Sequence, residues 1–316
     1  MQKEKGLTSF RTVVDCTMCV HKEKIRDNGE DSYLYSINDH AAVAAVFDGC
    51  GGSGSKQYAV FRGKTGAYIA SRAVAGAVRC WFNEHCASDK AEFDVASLKT
   101  KIQNYLVICS EIGGRASSIK GSLNKDFPTT AAVAVCYHKG AELMTECLWV
   151  GDSRCYMLTQ SGLVQLTEDD LGGIDPMENL SEDGVLTNVI TSSGSFELHT
   201  KKEVLTEPTI IITASDGCFG YFSTPMEFEY LLVYSIVNSD SMAEAERKIT
   251  DILDQTSGDD FTLTGLCLNY GTYPILRESL RPRAKFLYEN YIRDLYTKSP
   301  REKLELWEKY KVHYLR

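Results

Sequence analysis

Several apolar, strand-like runs of this chain end in an aspartate, and this repeated pattern limits the folds that the chain can adopt. The run AAVAAVF is followed by Asp48 and Gly49, CLWVG by Asp152, and IIITAS by Asp216. A fourth acid, Asp259, stands just before the last strand-like run. One Asp-Gly pair is an ordinary hairpin turn, but acids at four strand ends exceed what turns require. We therefore expect these strand ends to hold cations.

A further acid pair, Glu30 and Asp31, precedes the second strand-like run, and Arg26 stands four residues before Glu30. Histidine is scarce near these acids, and hard oxygen ligands select Mg²⁺ or Mn²⁺ over Zn²⁺. The residues therefore predict a two-metal hydrolytic centre. A guanidinium makes bidentate contacts with phosphate, so Arg26 beside this pair indicates a phosphorylated substrate. The alternative, a solvated arginine in the charged run HKEKIRDNGED, stays open.

The order of strand-like and helical runs indicates the fold class. The strand-like runs are 10–20, 32–37, 41–47, 129–138, 142–150, 155–158, 163–166, 209–214 and 261–269. Two pairs of runs with helical periodicity interrupt them, at 56–86 with 98–112 and at 226–238 with 242–255. Hairpins interrupted by paired helices are typical of α+β folds rather than of alternating βαβ units. We predict two packed antiparallel β-sheets flanked by paired α-helices.

Charge and composition exclude several classes of protein. The net charge of the chain is −9, but it is unevenly distributed. Residues 275–316 hold 11 Lys and Arg against 6 Asp and Glu, so their net charge is +5 and that of the rest of the chain is −14. A body this acidic repels nucleic acid. No run approaches the roughly 20 apolar residues of a membrane span, and no secretory signal is recognisable. The 11 cysteines lack paired spacing, which favours reduced thiols in the cytoplasm.

Seven motifs give the chain a family resemblance over residues 9–270. They are Arg26-x3-Glu30-Asp31, Asp48-Gly49-x-Gly51-Gly52, Thr129-Thr130, Gly151-Asp152-Ser153-Arg154, Leu166-Thr167, Ser215-Asp216-Gly217 and Asp259-Asp260-x-Thr262. In this order they resemble the type 2C metal-dependent protein phosphatases, particularly the bacterial members. The resemblance implies hydrolysis of phosphoserine and phosphothreonine in proteins by a metal-activated water at a dinuclear Mn²⁺ or Mg²⁺ centre. It implies phosphorylated proteins and a cognate serine/threonine kinase as partners.

The resemblance also assigns metal ligands. By similarity, Asp48 bridges two metal ions and the Gly49 carbonyl ligates the second of them. Asp216 and Asp259 hold the first ion. Asp152, together with Asp216, matches a third and weaker metal position.

Three further residues receive roles outside the direct ligand set. Glu30 and Asp31 act mainly through metal-bound waters, and Arg26 binds the substrate phosphate. The sequence departs from the family pattern at two positions, because Cys50 stands where many eukaryotic members have a histidine and Pro128 replaces a glycine. Cys50 is interpreted as a small packing residue, since free cysteine commonly packs as a hydrophobe, and the general acid stays open.

Three other interpretations compete with this one. The run Gly49–Gly54 fits the dinucleotide pattern G-x-G-x-x-G, but no acid follows about 20 residues later to bind a ribose. The run Cys16-x2-Cys19-x-His21 lacks a second paired set for zinc. A catalytically weak phosphoprotein-binding module on the same fold would be marked by lost metal ligands, whereas Asp48, Asp216 and Asp259 are present.

Two segments lie outside these motifs. Residues 168–184 occupy the place of the family's variable flap and hold seven acids, which predicts a preference for basic phosphopeptides. The chain divides into a phosphatase domain at 1–272 and a basic amphipathic helical tail at 273–316. Residues 280–296 carry apolar side chains on one helical face, which predicts a first tail helix. Pro300 behind Ser299 predicts the start of a second tail helix, in which Leu304, Trp307 and Tyr314 continue the buried stripe. The opposite charges of tail and body favour docking on the chain's own domain over docking on a partner protein.

Overall fold

A computed structural model describes residues 9–88, 94–114, 125–172, 175–180 and 184–316. The strands are β1 (Val14–Lys22), β2 (Ser32–Ile37), β3 (Ala41–Phe47), β4 (Gln57–Tyr58), β5 (Lys64–Thr65), β6 (Ala131–Lys139), β7 (Glu142–Val150), β8 (Arg154–Thr159), β9 (Gly162–Gln165), β10 (His199–Leu205), β11 (Thr209–Ala214) and β12 (Phe261–Leu268). The helices are α1 (Gly51–Gly54), α2 (Gly66–His85), α3 (Val95–Gly113), α4 (Pro225–Val237), α5 (Met242–Thr256), α6 (Tyr273–Leu287) and α7 (Pro300–Tyr314). No helix within these described ranges is long and apolar enough to cross a membrane.

Ten of the strands form two five-stranded sheets in which every neighbouring pair is antiparallel. The first sheet has the order β1-β12-β11-β8-β9, and the second has the order β10-β7-β6-β3-β2. Helices α4 and α5 share an apolar core with the first sheet, and α2 and α3 share one with the second sheet. The remaining faces of the two sheets pack against each other. The prediction of an α+β sandwich with helices on both sides is confirmed.

Strand β3 shows how the sequence produces these layers. Successive side chains of a strand point to opposite faces. Val43 and Phe47 lie in the core shared with α2 and α3, whereas Ala44 and Val46 lie in the core between the two sheets. All seven residues of β3 are therefore buried, and the strand reads as a continuous apolar run that ends at Asp48.

Two of the differences between the structure and the sequence interpretation concern strands. Residues 56–65, predicted as helical, contain the short β4–β5 hairpin, and α2 begins only at Gly66. Arg62 and Gly63 have φ angles of 58° and 77°, a left-handed conformation that interrupts a helix. The sequence did not indicate β10, because this edge strand alternates between half-buried and exposed residues and has few apolar side chains.

The tail, residues 273–316, is helical as predicted, with one interruption. A π-helical turn at Tyr288–Ile292 separates α6 from the rest, so the continuous helix expected over 280–296 does not form. Helix α7 begins at Pro300 behind Ser299, as predicted, and the Ser299 and Glu302 side chains form a capping box. Trp307 is fully buried, whereas Leu304, expected in the same buried stripe, is 49% exposed.

Glu229 of α4 connects the tail to the first sheet through what we call the Glu229 network. Its side chain is fully buried. Arg283 donates to both carboxylate oxygens, at 2.7 and 2.9 Å. The Tyr310 hydroxyl donates at 2.6 Å, and the backbone N–H of Leu163 donates at 3.1 Å. Both oxygens therefore have partners, and the buried charge is paired with a guanidinium.

Candidate metal centre

The acids at the strand ends of the first sheet come together because of strand register. Ala214 at the end of β11 pairs with Arg154 of β8 and with Leu263 of β12. Asp216 and Asp152 therefore stand at the same edge of the sheet, and the residues that precede β12 reach this edge as well.

A pair of threonines links this edge to the end of β3 in the second sheet. Thr129 Oγ1 donates to the Asp48 carbonyl at 2.6 Å, and the Thr130 N–H donates to the same oxygen at 2.8 Å. The hydroxyl oxygens of Thr130 and Ser153 are 2.7 Å apart. Ser153 follows Asp152 directly, so the acids of both sheets meet at one place.

Four aspartates form what we call the acid cluster: Asp31, Asp48, Asp152 and Asp216. Asp31 is 2% exposed and the other three are half-buried. Burial and the nearby Asp216 charge raise the pKa of Asp31 to about 7 and that of Asp152 to about 8. Burial, followed by the charges of Asp31 and Asp216, holds the pKa of Asp48 well above its usual value. Burial also raises the pKa of Asp216. The surroundings therefore disfavour the ionised forms of all four.

The chemistry of this donor set fits a hard divalent cation. The donors are carboxylate oxygens, which Mg²⁺ and Mn²⁺ prefer, and a bound cation would neutralise the charges that now oppose one another. The side chains do not already surround a common point, since among the described residues no three His, Cys, Asp or Glu side chains form a group that could hold a metal ion. The cluster thus has the ligand type and charge for a metal, but not a closed ligand shell.

Asp260 holds the loop that carries Glu30. Its two oxygens accept the backbone N–H groups of Lys24 and Glu30, each at 2.6 Å. The Glu30 side chain accepts a hydrogen bond from Thr65, and burial, followed by the charges of Asp260 and Asp259, raises the pKa of Glu30. Asp259 itself is exposed at the border of the cluster. Asp260 was not among the predicted site residues, although its place in the motif Asp259-Asp260-x-Thr262 was a signal.

Position 49 requires glycine, because a side chain there would clash with neighbouring backbone. A Cβ atom at this position would lie 2.7 Å from the Ala67 carbonyl oxygen and 2.9 Å from that of Glu30. The backbone of Gly49 is therefore packed tightly beside the acid cluster, where its carbonyl role stays a prediction. The following residue, Cys50, is half-buried, and burial raises the pKa of its thiol to about 12. The thiol is protonated at neutral pH.

Arg26, predicted to bind the substrate phosphate, lies exposed on the loop before Glu30. Its side chain is 95% exposed and lies 3.8 Å from the Asp27 carboxylate. Asp27 has a φ of 63°, which marks a tight turn at this point of the loop. The phosphate-binding role of Arg26 and the alternative of a solvated arginine both stay open.

The acids that follow β9 pair within the protein. The Asp169 carboxylate forms a buried ion pair with Arg154 at 2.6 Å. Asp170 accepts hydrogen bonds from the backbone N–H of Gly151 and from the Asn188 side chain, both at 2.8 Å. These two charges are therefore anchoring groups, which weakens the predicted preference for basic phosphopeptides. Glu182 and Asp183, counted in that prediction, lie outside the described residues.

Comparison with known families identifies the chain. The family model described as Protein phosphatase 2C matches residues 22–256, which is most of the sequence. The chain belongs to the protein phosphatase 2C family. This membership confirms the resemblance read from the seven motifs and the prediction of an enzyme of the protein phosphatase class. No curated protein sequence matches the chain.

Solved structures of bacterial serine/threonine phosphatases share the fold of this phosphatase 2C chain. Stp1 from Staphylococcus aureus is 17% identical with a TM-score of 0.59, and the match covers 85% of this chain and 100% of that one. PstP/Ppp from Mycobacterium tuberculosis is 18% identical with a TM-score of 0.56, and the match covers 81% of this chain and 99% of that one. MsPP from Mycobacterium smegmatis, solved with cacodylate, is 15% identical with a TM-score of 0.55, covering 81% and 100%. The catalytic domain of PstP has also been solved with two manganese ions.

Proposed function

We propose that this chain hydrolyses phosphoserine and phosphothreonine in proteins and uses two Mn²⁺ or Mg²⁺ ions held at the acid cluster. The observation that carries the proposal is that four buried or half-buried aspartates from both sheets meet at one edge of the sandwich. Such a cluster lowers stability without a cation and gains a function with one. The two manganese ions of the PstP catalytic domain support the same choice of metal.

The roles that we propose for the residues are those that the family resemblance implies. Asp48, which follows β3, would bridge the ions, and Asp216 and exposed Asp259 would hold the first of them. Asp152 would serve a third, weaker position. When bound, the metals would lower the pKa of a water molecule and neutralise charge on the phosphoryl oxygens. Glu30 stays beside them because Asp260 holds its loop.

The test is hydrolysis of a phosphothreonine peptide and of an aryl phosphate by the full chain, with Mn²⁺ present or chelated by EDTA. We expect turnover that depends on Mn²⁺. Full activity in excess EDTA would contradict the metal centre. Peptide binding without turnover at saturating Mn²⁺ would favour the phosphoprotein-binding module instead.

Arg26 is proposed to contact the substrate phosphate already in the bound ground state. Its exposed position on a loop fixed by Asp260 supports access to a large protein substrate. Uniform binding of this kind appears mainly in KM. Arg26→Ala should raise KM several-fold more than it lowers kcat, and an unchanged KM would leave the solvated-arginine interpretation. Arg11, exposed and remote in sequence, provides the matched control.

We also propose that the tail docks on its own domain in solution and that the protein functions in a reducing cytoplasm. Support for docking comes from the Glu229 network and from Lys311, whose Nζ lies 3.9 Å from Asp175 in the segment after β9. Support for the compartment comes from 11 cysteines that are all free. Deleting residues 275–316 should lower the melting temperature. An unchanged melting temperature with intact turnover would leave the tail as an arm for a kinase or another partner protein.

A further inference from the structure

Arg154 connects the acid cluster to the segment that follows β9. It stands two residues after Asp152, and its side chain is 2% exposed. Its Nε and Nη2 donate to the two carboxylate oxygens of Asp169 at 2.9 and 2.6 Å, and its Cζ lies 4.0 Å from the centre of the Phe219 ring. A bidentate pair of this kind fixes both partners in orientation as well as in distance.

The next residue, Asp170, strengthens the same connection. Its side chain accepts the Gly151 N–H at 2.8 Å, and its own N–H donates to the Gly151 carbonyl at 3.0 Å. Asp170 thus holds the backbone of Gly151, directly before Asp152, and Asp169 holds the side chain of Arg154, two residues after Asp152. These bonds limit the movement of Asp152, because the chain is anchored on both sides of it.

The C-terminal end of α7 covers the Arg154 ion pair. Tyr314 is 1% exposed, and its ring centroid lies 6.2 Å from that of Tyr156. Arg154 Nη1 donates to the Tyr156 hydroxyl at 3.4 Å, and the Tyr314 hydroxyl interacts with both of these residues. Tyr314 therefore forms part of the wall that keeps water from the guanidinium. An ion pair opened to water is weaker and more mobile, since the effective dielectric constant rises.

We propose that Tyr314 is a positioning residue for the metal centre. Its ring excludes water from the Arg154–Asp169 pair, its hydroxyl holds the Arg154 guanidinium in place, and the pair holds Asp152 at the acid cluster. The tail thereby acts on metal binding from outside the seven motifs. The catalytic consequence rests on the proposed function, whereas the effect on the backbone around Asp152 does not.

The test compares the full chain with Tyr314→Ala, Tyr314→Phe and Val312→Ala, the last being a control because Val312 is 77% exposed on the same helix. Amide hydrogen exchange is measured below the melting temperature of each variant, followed by the Mn²⁺ dependence of turnover. For Tyr314→Ala we expect exchange over residues 151–170 to be about 10-fold faster, with β3 unchanged. We also expect the Mn²⁺ concentration for half-maximal rate to rise about 10-fold, with the peptide KM unchanged.

Two results would overturn the proposal. One is unchanged exchange over 151–170 in Tyr314→Ala, and the other is equally faster exchange throughout the first sheet, which would make Tyr314 a general packing residue. If Tyr314→Ala does not fold, Tyr314→Phe decides, with exchange over 151–170 about 2- to 3-fold faster expected and no change contradicting the proposal. A wild-type chain without Mn²⁺-dependent turnover would defeat the proposed function, while the exchange result would still decide the positioning role.

Discussion

The Glu229 network and the acid cluster both bury carboxylates, but the groups that surround the carboxylates carry opposite charges. Glu229 receives a guanidinium, a phenol and a backbone N–H, so its charge is paired and its oxygens are satisfied. Asp31, Asp48 and Asp216 instead lie beside one another, and each carries a raised pKa because burial and like charges disfavour ionisation. Burying a charge without a partner is costly. The acid cluster, in which neighbouring carboxylates add to the cost of burial, is thus the group that a bound cation would stabilise.

Removing the paired carboxylate should have the largest effect on stability. Glu229→Gln leaves Arg283 with no counter-charge at a position where its side chain is 11% exposed. We expect a loss of about 3–5 kcal/mol in the free energy of unfolding, measured in urea. Glu278→Gln, which breaks an ion pair on the exposed face of α6, is the matched control and should have little effect. Equal losses of stability in both variants would show that the buried ion pair matters no more than an exposed one.

Removing a carboxylate from the acid cluster should act on rate rather than on stability. Asp48→Asn should lower kcat at least about 100-fold, since losing a residue that only hydrogen-bonds to a metal ligand already lowers activity about 10- to 100-fold. The same change relieves repulsion, so we expect the melting temperature in EDTA to rise. Steady-state kinetics and a thermal scan measure the two effects. Near-normal turnover, or a lower melting temperature in EDTA, would contradict the interpretation.

A divalent cation should stabilise the folded chain through the acid cluster alone. At a free Mn²⁺ concentration of ten times Kd, the free energy of unfolding should rise by about 1.4 kcal/mol for one site. Thermal scans over a Mn²⁺ series measure it. The gain should persist in Glu229→Gln and be smaller in Asp48→Asn, which should lose at least one of the two ions. The same gain in all three proteins would place the metal elsewhere.

The smallest expected effect concerns pH in the metal-free chain. Burial raises the pKa of Asp31 in the folded state to about 7, from about 3.9 when unfolded, so the folded state binds the extra proton. Its stabilising contribution is complete below about pH 4 and is lost as pH rises towards 7. As pH rises from 6 to 7 in EDTA, the free energy of unfolding of Asp31→Asn should fall by about 1 kcal/mol less than that of wild type. Identical pH profiles from urea unfolding would count against the burial argument.

The two regions also differ in how far the sequence predicts them. Asp48, Asp152 and Asp216 end strand-like runs, so a local pattern was enough to expect them at one edge. Glu229 lies in the apolar run PMEFEYLLVY, and its partner Arg283 is 54 residues away. Nothing local indicates that pairing, because it depends on how α6 and α7 fold back on α4. The role of Tyr314 beside Arg154 could not be predicted for the same reason, whereas the boundary of α7 followed from its cap.

The most direct test of the account is a Mn²⁺ binding isotherm by titration calorimetry on wild type, Asp48→Asn and Glu229→Gln. We expect two bound Mn²⁺ ions per chain in wild type and in Glu229→Gln below its melting temperature. We expect loss of at least one of them in Asp48→Asn. Undetectable Mn²⁺ binding by wild type, or an unchanged isotherm in Asp48→Asn, would contradict the claim that the acid cluster forms the metal centre.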